Sequence, residues 1–457
     1  MISTNEKNEI NKLNKKLDLV SVSNNKKNNY YYQENKVKDL GINTPPLMQN
    51  LDVVVGWPTA TVDIQLERIK CLGFYNPNED ENTQWLNKIW KENYMESEQK
   101  VHQRDSMITG ISFLSASLGD EDEPEVVWLS ENSSSMTMNY DHRKGIATSA
   151  FKKIKKEKDT WLGELYTPES NIQLVKERGK DWIEVSRINH EIGFVPIVPF
   201  FNNPDGLFRN GRTELTKSIL GYTDSTMRSI LSSEVMREYY SRPVRAILGG
   251  NPTDFDQLMV HEGRLVWKLE SGDIINIATS YDRDGNPIPQ SFQEFGAEDP
   301  TNVLKMIEFY GRLVAREIGV PPAYMGFDTI NPSSADAINA SDSKLIQKSL
   351  MRIPHYKRSY KKLADYSLRL TGREKGESWS DFEAEFARVD TVTPQAAADR
   401  ISKLNAVGVF DREFPTWVYR EVGLNDVEIQ QTKNFVAATN AANVIAQLSQ
   451  GITDEVL

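Results

Sequence analysis

Apolar residues recur at helical spacing over the first ordered stretch of the chain. Thr61 can cap a helix that carries Val62, Leu66 and Ile69 on one face. A second helical pattern contains Trp85, Leu86, Ile89, Trp90 and Tyr94, and a third runs from Ser97 toward Leu118. Large aromatic side chains at this spacing usually fill a core. We therefore predict a packed helical unit here.

From Glu123 onward the pattern changes to a period of two, which is typical of half-buried strands. Turn signals such as Thr167-Pro168 and Arg178-Gly179 separate the apolar segments. The apolar stretch 193–202 contains Pro196 and Pro199, so we expect an edge strand or a connector there. The remaining pattern predicts an antiparallel meander beside the helices, built from segments 126–129, 136–140, 146–154, 161–166, 172–175 and 182–185.

The second half of the chain has three long helical patterns. The first runs from after Gly211 to Tyr239, and the second opens at Asp299-Pro300 and ends where Gly319 precedes Pro321-Pro322. The third begins near Ser333 and continues to Gly372, with a kink expected at Pro354 because proline lacks a backbone donor. Between the first two lies a small insert, with strand-like pieces at 265–269 and 274–277 and a turn at Asp284-Gly285.

The two ends of the chain differ from its middle. Asn and Lys dominate residues 1–49, and no apolar period is evident, so we predict a disordered, locally basic arm. Residues 392–457 instead show capped helical patterns that open at Thr393-Pro394, Asp411 and Asn425. We expect a helical bundle at this end.

Composition narrows the possible classes of protein. The chain has 457 residues, enough for two to four packing units, and a formal net charge of -11. That charge disfavours tight binding of nucleic acid through phosphate neutralisation, but it allows DNA to slide past. The single cysteine, Cys71, excludes an intramolecular disulfide. No apolar run is long enough for a membrane span and no signal peptide is expected.

Searching for catalytic motifs gives negative results. There is no phosphate-binding Gly-x-x-x-x-Gly-Lys loop and no Gly-x-Ser-x-Gly, and the five histidines are not at ligand spacing. Asp282–Asn286 resembles a calcium loop only briefly, and a hairpin turn is the better interpretation. We therefore expect no catalytic residues, no metal and no cofactor. A hydrolase that uses two of the many carboxylates, or a helical scaffold protein, stays open as an alternative.

Four motifs, in this order, resemble the portal proteins of tailed bacteriophages of the siphovirus type. They are Gly193-Phe-Val-Pro-Ile-Val-Pro-Phe, Ser241-Arg-Pro-Val-Arg, Ile318-Gly-Val-Pro-Pro-Ala-Tyr-Met-Gly and Asn331-Pro-Ser-Ser-Ala-Asp-Ala-Ile. The resemblance covers about residues 50–450 and implies an α+β portal fold that forms rings. The implied parts are a wing at 50–210, a stem helix at 211–249, a clip at 250–298, a second stem helix at 299–319, a tunnel loop at 320–334, a long kinked wing helix with a β return at 335–391, and a crown at 392–457.

This resemblance also implies a function and partners. About twelve copies would form a ring at one vertex of the capsid, with a central channel through which double-stranded DNA enters and leaves. The implied partners are the large terminase subunit, a head–tail adaptor, and the major capsid and scaffold proteins. The ring would be assembled in the host cytoplasm and carried in the virion, without contact with a membrane.

Two groups of residues are candidates for the wall of such a channel. The tunnel loop offers Tyr324, Met325, Asp328, Thr329 and Asn331, which carry no cation and suit light contact with DNA. The stem helices offer arginines that either form positive rings in the bore or pair with nearby glutamates at helical spacing. These are Arg228, Arg237, Arg312 and Arg316, with Glu234, Glu238, Glu308 and Glu317 as the possible partners.

Overall fold

The computed structural model gives the structure of most of the chain. It describes residues 2–35, 52–76, 81–157, 159–190, 192–240, 244–248, 258–261, 264–267, 281, 283–287, 291–295, 301–327, 335–373, 382–389, 394–406, 414–415, 418–419, 422–424, 428–436 and 438. The helices are α1 Thr4–Tyr31, α2 Trp57–Leu66, α3 Glu81–Glu92, α4 Met95–Thr109, α5 Lys217–Tyr240, α6 Thr301–Ile318, α7 Ala335–Leu370 and α8 Pro394–Ala406.

Most of the strands follow one another along the chain, since β2 to β9 have no helix between them, and such runs of strands are typical of an α+β protein. In chain order they are β1 Cys71–Tyr75, β2 Ile111–Leu118, β3 Val126–Glu131, β4 Met136–Asp141, β5 Ile146–Glu157, β6 Thr160–Tyr166, β7 Ser170–Glu177, β8 Ile183–Asn189, β9 Ile197–Phe201, β10 Val244–Leu248, β11 Leu258–His261, β12 Arg264–Trp267, β13 Ser291–Phe295 and β14 Glu383–Phe386.

The strand segments predicted between 126 and 185 are all strands, but they belong to two sheets. Of the pieces predicted in the small insert, 265–267 is part of β12, and 268–269 and 274–277 lie outside the described residues. Strands β4 to β8 form an antiparallel meander in chain order, while β3 pairs with β2, and β2 pairs with β9. The helix predicted to run toward Leu118 is wrong beyond Thr109. Gly110 has a φ of 106°, a conformation that ends α4, and β2 begins at Ile111. The apolar stretch with Pro199 is an edge strand, as predicted, because β9 pairs only with β2 among the described strands.

The long helix α7 lies in the main core. Its buried Tyr356, Tyr360 and Leu363 pack with residues of α3, α4, β2 and β9. Helical structure continues through Pro354, which is exposed. The carbonyl one turn earlier, which loses its hydrogen bond because proline has no backbone N–H, therefore lies on the solvent side of the helix and not in the core. Strand β14 then returns to pair with β1. In the segment predicted to be a helical bundle, α8 and the helical stretch at 428–436 are described, whereas Asp411 and Asn425 lie outside the described residues.

The prediction of a disordered N-terminal arm is wrong for Thr4–Tyr31. Ser3 and Glu6 form a reciprocal capping box at the start of α1, and Ile10, Leu13 and Leu17 are buried against one face of the meander. Their sheet partners are Phe151, Leu165, Ile172, Leu174 and Trp182. Ile10, Leu13 and Leu17 are spaced by three and four residues, which is typical of one face of a helix. The stripe is narrow and the surrounding residues are mostly Asn and Lys, so the composition of the segment indicated disorder instead. Residues 36–49 lie outside the described residues.

Polar contacts fix α1 along its whole length. Lys153 pairs with Asp18 at 2.8 Å, and Arg187 pairs with Glu6 at 2.7 Å, both between the sheet and the helix. At the other end of α1, the Tyr31 hydroxyl donates to Asp63 of α2 at 2.8 Å. The helix therefore joins the meander to the helical unit, and it is part of the folded subunit.

We expect Leu13→Ala to lower the free energy of unfolding by about 2–5 kcal/mol, because it removes a fully buried side chain and leaves a cavity under the sheet. The matched control is Leu19→Ala on the same helix, whose side chain is 71% exposed and whose loss should have little effect. Urea denaturation followed by circular dichroism measures both. Equal effects of the two substitutions would mean that α1 does not pack on the sheet.

Candidate functional site

Helices α5 and α6 form a hairpin that emerges from the core. The rings of Tyr222 and Tyr310 are stacked, 6.3 Å apart, and Ile219 packs with Val314 and Ile318. At the far end of the hairpin, β10 follows α5 and β13 precedes α6, and the two strands pair antiparallel. A pair of strands therefore joins the two helices at the tip. The predicted Asp284-Gly285 turn is present, since Tyr281 bridges to Pro287 and Gly285 has a φ of 79°.

The near end of α6 is capped by the long helix. Gly319, with a φ of 87°, ends α6, and the next residues turn away from the helix axis. Lys344 and Lys348 of α7 donate to the carbonyl oxygens of Arg316 and Glu317 at 3.3 and 2.9 Å. Cations at a helix C-terminus satisfy free carbonyls and oppose the helix dipole. The base of the hairpin is thereby held by the long helix.

One face of α6 is exposed and carries cations around an aromatic ring. Lys305, Phe309, Arg312 and Arg316 are spaced by four, three and four residues, so they share one side of the helix. All four are exposed, and Phe309 is 57% accessible. The flanks of this stripe are apolar, because Leu304 and Met306 are 58% and 48% exposed on either side of it.

The predicted stem arginines differ in their surroundings. Arg312 forms an ion pair with Glu308 one turn earlier in α6, so this pair lies within one helix and does not join α6 to α5. The guanidinium of Arg316 engages no carboxylate within the described residues, and Arg228 is exposed on α5. The side chain of Arg237 lies outside the part that the structure describes. Of the four predicted arginines, Arg312 and Arg316 are thus the two that lie on the same exposed face as Lys305.

The loop after α6 is folded back onto the subunit over its first half. Residues Pro322–Met325 form a 3-10 turn, and the Tyr324 hydroxyl donates to Asp342 of α7 at 3.1 Å. Arg68 donates to the same two groups at 3.2 and 2.7 Å. Burial and the neighbouring Asp342 carboxylate raise the pKa of Tyr324. This polar cluster joins the loop to α7 and to the residues after α2.

An apolar contact continues this attachment to Phe327. Its ring packs edge-on against Trp57, with centroids 6.5 Å apart, directly over Gly311 of α6. A Cβ at position 311 would overlap the Phe327 ring, so the absence of a side chain there creates the space for it. Met325 also packs on the same cluster. Tyr324 and Met325 of the predicted tunnel loop are therefore held against the subunit, whereas Asp328, Thr329 and Asn331 lie outside the described residues.

Sequence reasoning missed the residues that hold this loop. Arg68, Asp342 and Phe327 lie on three separate elements, and no local spacing relates them. The side chain of Asp342 on α7 is only 1% exposed. Arg68 is distant from it in sequence and reaches it only in the folded protein. Gly311 was the available signal, because a glycine inside an apolar helical stripe often marks a close approach of another group.

No arrangement in the described part of the chain resembles a catalytic or metal centre. No group of three or more potential metal-ligating His, Cys, Asp or Glu side chains occurs among those residues. Asp105 is the carboxyl group whose burial raises its pKa most clearly, to about 7. Its oxygens accept from the Asn132 amide and the Ser133 backbone N–H at 2.9 and 3.1 Å, inside the core. Asp105 is therefore a structural acceptor between α4 and the β3–β4 turn. No helix of the described residues is long and apolar enough to cross a membrane.

Comparison with known proteins gives the class first. A family model described as "Phage portal protein, SPP1 Gp6-like" matches residues 15–415, which is most of the chain. The protein is a structural component of a bacteriophage head–tail connector. Within that class, it belongs to the SPP1 Gp6-like family of phage portal proteins.

Two of the proteins that this chain resembles show the extent of the similarity. The portal protein of Mycobacterium phage L5 is 26% identical over 401 residues, which cover 84% of this chain and 79% of that protein. Among solved structures, a chain from the "Neck of native GTA particle computed with C12 symmetry" has a TM-score of 0.46 and 13% identity. That likeness covers 84% of this chain and 94% of the other.

We expect opposite effects from two glycine-to-alanine changes in the hairpin. Gly311→Ala should lower the free energy of unfolding by about 1–3 kcal/mol, because the new methyl group displaces Phe327. Gly221→Ala in α5 meets open space and should raise stability by about 0.4–1 kcal/mol. Urea denaturation of the dilute protein measures both. If Gly311→Ala stabilised the protein like the control, Phe327 would not occupy the contact described above.

Proposed function

We propose that copies of this chain assemble into a ring whose α5–α6 hairpins surround a channel for double-stranded DNA. The observation that carries the proposal is the exposed face of α6, with apolar flanks on either side of a stripe of cations. Leu304 and Met306 would be covered by the hairpins of two neighbouring copies. Each copy would then contact a neighbour on both sides of its hairpin and would use different residues for the two contacts. Contacts of this kind are those of a closed cyclic assembly.

In this arrangement the stripe of Lys305, Phe309, Arg312 and Arg316 would face the channel. Its charge is modest because Arg312 is already paired with Glu308. A few cations repeated around a ring, in a chain with a net charge of -11, would guide a DNA backbone without binding it tightly. This suits a passage through which DNA must move in both directions.

The other parts of the chain would then have distinct roles. The strand module of β10 to β13 would be the clip, on which the large terminase subunit docks during packaging and a head–tail adaptor afterwards. The helices and sheets at 50–210 together with α7 would form the wing, in contact with the major capsid and scaffold proteins. The residues from 392 would form the crown, and the protein would act at the portal vertex of the virion after assembly in the host cytoplasm.

The proposed role requires no catalysis by this chain. Force for packaging would come from the terminase, while the portal provides the passage. The alternative of a carboxylate-dependent hydrolase finds no support in the described residues, because Asp105 is enclosed in the core and is satisfied by structural hydrogen bonds. The alternative of a general helical scaffold protein does not explain why α6 has an exposed cationic stripe between two apolar flanks.

Negative-stain electron microscopy of the purified protein tests the assembly directly. We expect end-on views to show rings of about twelve copies with a central hole. The sample is kept concentrated, without scaffold protein, for long enough to assemble. If it then contains only monomers or dimers, the proposed ring is contradicted.

We expect the double substitution Leu304→Asp with Met306→Asp to abolish rings while leaving the monomer folded. Both side chains are exposed in the subunit, and burying a carboxylate against a neighbour without a partner is unfavourable by several kcal/mol. Lys305→Ala, between them in sequence but on the stripe, is the matched control and should still form rings. Size-exclusion chromatography and circular dichroism read out assembly and folding. Ring formation by the double variant would show that these flanks are not at the interface.

A further inference from the structure

A concentration of cations lies at one end of the three-stranded sheet. The turn between β4 and β5, the end of β9 and the middle of α7 meet there around a cavity of about 270 Å³. Its lining includes the side chains of His142, Arg209, His355, Arg358 and Lys362, with Tyr140 and Phe201 as aromatic walls. The adjoining turn adds the exposed side chains of Arg143 and Lys144.

The positive charge of this pocket is only partly balanced by the acids around it, since Lys362 lies 4.0 Å from the Asp365 carboxylate of α7. Arg209 and Arg358 engage no carboxylate in the part of the chain that the structure describes. Asp205 accepts from the backbone N–H groups of Leu207 and Phe208 and pairs with Arg212. Burial, together with the positive charge of Arg358, lowers the pKa of His355. The pocket therefore has cations available for an external anionic partner.

Large apolar side chains stand beside these cations. Leu207 and Phe208 are 83% and 52% exposed, although the Asp205 carboxylate fixes the backbone of their loop. Exposed apolar residues on an ordered loop are typical of surfaces that a protein partner covers. A free phosphate or a DNA backbone would leave both side chains in water.

A complementary feature lies in the turn between β2 and β3. Asp120, Glu121, Asp122 and Glu123 are exposed, and they pair with no cation among the described residues. The turn is ordered, because the Gly119 N–H donates to the Glu125 oxygen at 3.3 Å and the Asp120 N–H donates to the Glu123 carboxylate at 3.2 Å. Leu118 beside it is 57% exposed. The turn thus combines unpaired carboxylates with an exposed apolar residue.

The acidic turn and the cationic pocket lie at opposite ends of β2. Ile111 at one end pairs with Phe201, which lines the pocket, and Leu118 at the other end precedes the turn. Eight residues of strand separate them by about 23 Å, at roughly 3.3 Å per residue. The turn therefore cannot reach the pocket of its own subunit. Two complementary patches that lie apart on one subunit allow a head-to-tail contact between copies, and such a contact generates a ring when the rotation between copies closes.

We propose that the acidic β2–β3 turn of one copy docks into the Arg209–Arg358 pocket of the next copy. The occupant is thus a second copy of this chain, and the contact adds a charged connection between wings to the hairpin contacts. This inference rests on the proposed ring, and it assigns to the ring a specific interface away from the channel. The contact is electrostatic and partly exposed, so it should weaken as ionic strength rises.

Charge reversal on either side tests the contact. The turn variant carries Asp120→Lys, Glu121→Lys and Asp122→Lys; the pocket variant carries Arg209→Glu and Arg358→Glu. Each alone should form roughly tenfold fewer rings than the unaltered protein at the same concentration, because like charges then meet. Mass photometry counts the rings. The matched control reverses an equally exposed pair at the β7–β8 turn, Glu177→Lys with Lys180→Glu, and should leave ring formation unchanged.

Mixing the two variants gives a sharper test. The turn variant presents a basic turn and the pocket variant an acidic pocket, while their other patches keep the original charges. Alternating copies are therefore complementary at every contact, and an equimolar mixture should recover assembly, as should both sets of changes combined in one chain. Rings from each variant alone, or failure of the mixture while the control assembles, would overturn the proposed docking.

Two further results separate this inference from its alternatives. If the unaltered protein forms no rings, the proposed function fails, yet pairwise binding of the two variants to each other, and not to themselves, would still support the docking. If the pocket variant assembles normally but loses binding to a labelled DNA duplex, the pocket serves nucleic acid and the proposal is wrong.

Discussion

A buried ion pair at the centre of the subunit sets the relation between its parts. Arg352 of α7 has no exposed side-chain surface and donates to Glu214 at 2.6 Å and to Gln65 at 2.9 Å. Burial acts to raise the pKa of Glu214, but Arg352 and the Asn202 amide outweigh it, and the pKa is held below its usual value. Removing one member would leave a charge in the core, which costs several kcal/mol. The long helix, α2 and the start of α5 must therefore keep their register.

The rest of the fold is arranged around that fixed point. On the core side of α7, the buried Tyr356 and Tyr360 hydroxyls reach Ser106 and His102 of α4, at 2.6 and 2.8 Å. Burial lowers the pKa of His102 to about 3, so it contributes a neutral ring to this packing. Helix α1 covers one face of the meander and, through the Tyr31 hydroxyl, contacts α2. The hairpin of α5 and α6 thus rests on a packed core, while the outer face of α6 is exposed.

The sequence predicted the elements with a strong local signal. The long helix ending near Gly372, the short helix ending at Gly319 and the strands of the meander have caps, turns or clear periods. It failed where a weak local pattern is completed by a distant surface. The stripe of Ile10, Leu13 and Leu17 is too narrow to indicate a buried helix until the apolar face of the sheet is known. The attachment of the loop through Arg68, Asp342 and Phe327 is likewise set by three distant elements, and no spacing reveals it.

The packing of Phe327 over Gly311 has a geometric consequence for the connection between α6 and α7. The ring of Phe327 attaches the α6 side of this connection to the helix that precedes it. The point at which the connection can leave the subunit is therefore decided by one aromatic contact and not by the end of α6. Changing the residue opposite Phe327 would lengthen the free connection without adding a single amino acid. Gly311, inside α6, thus decides where the free part of the loop after that helix begins.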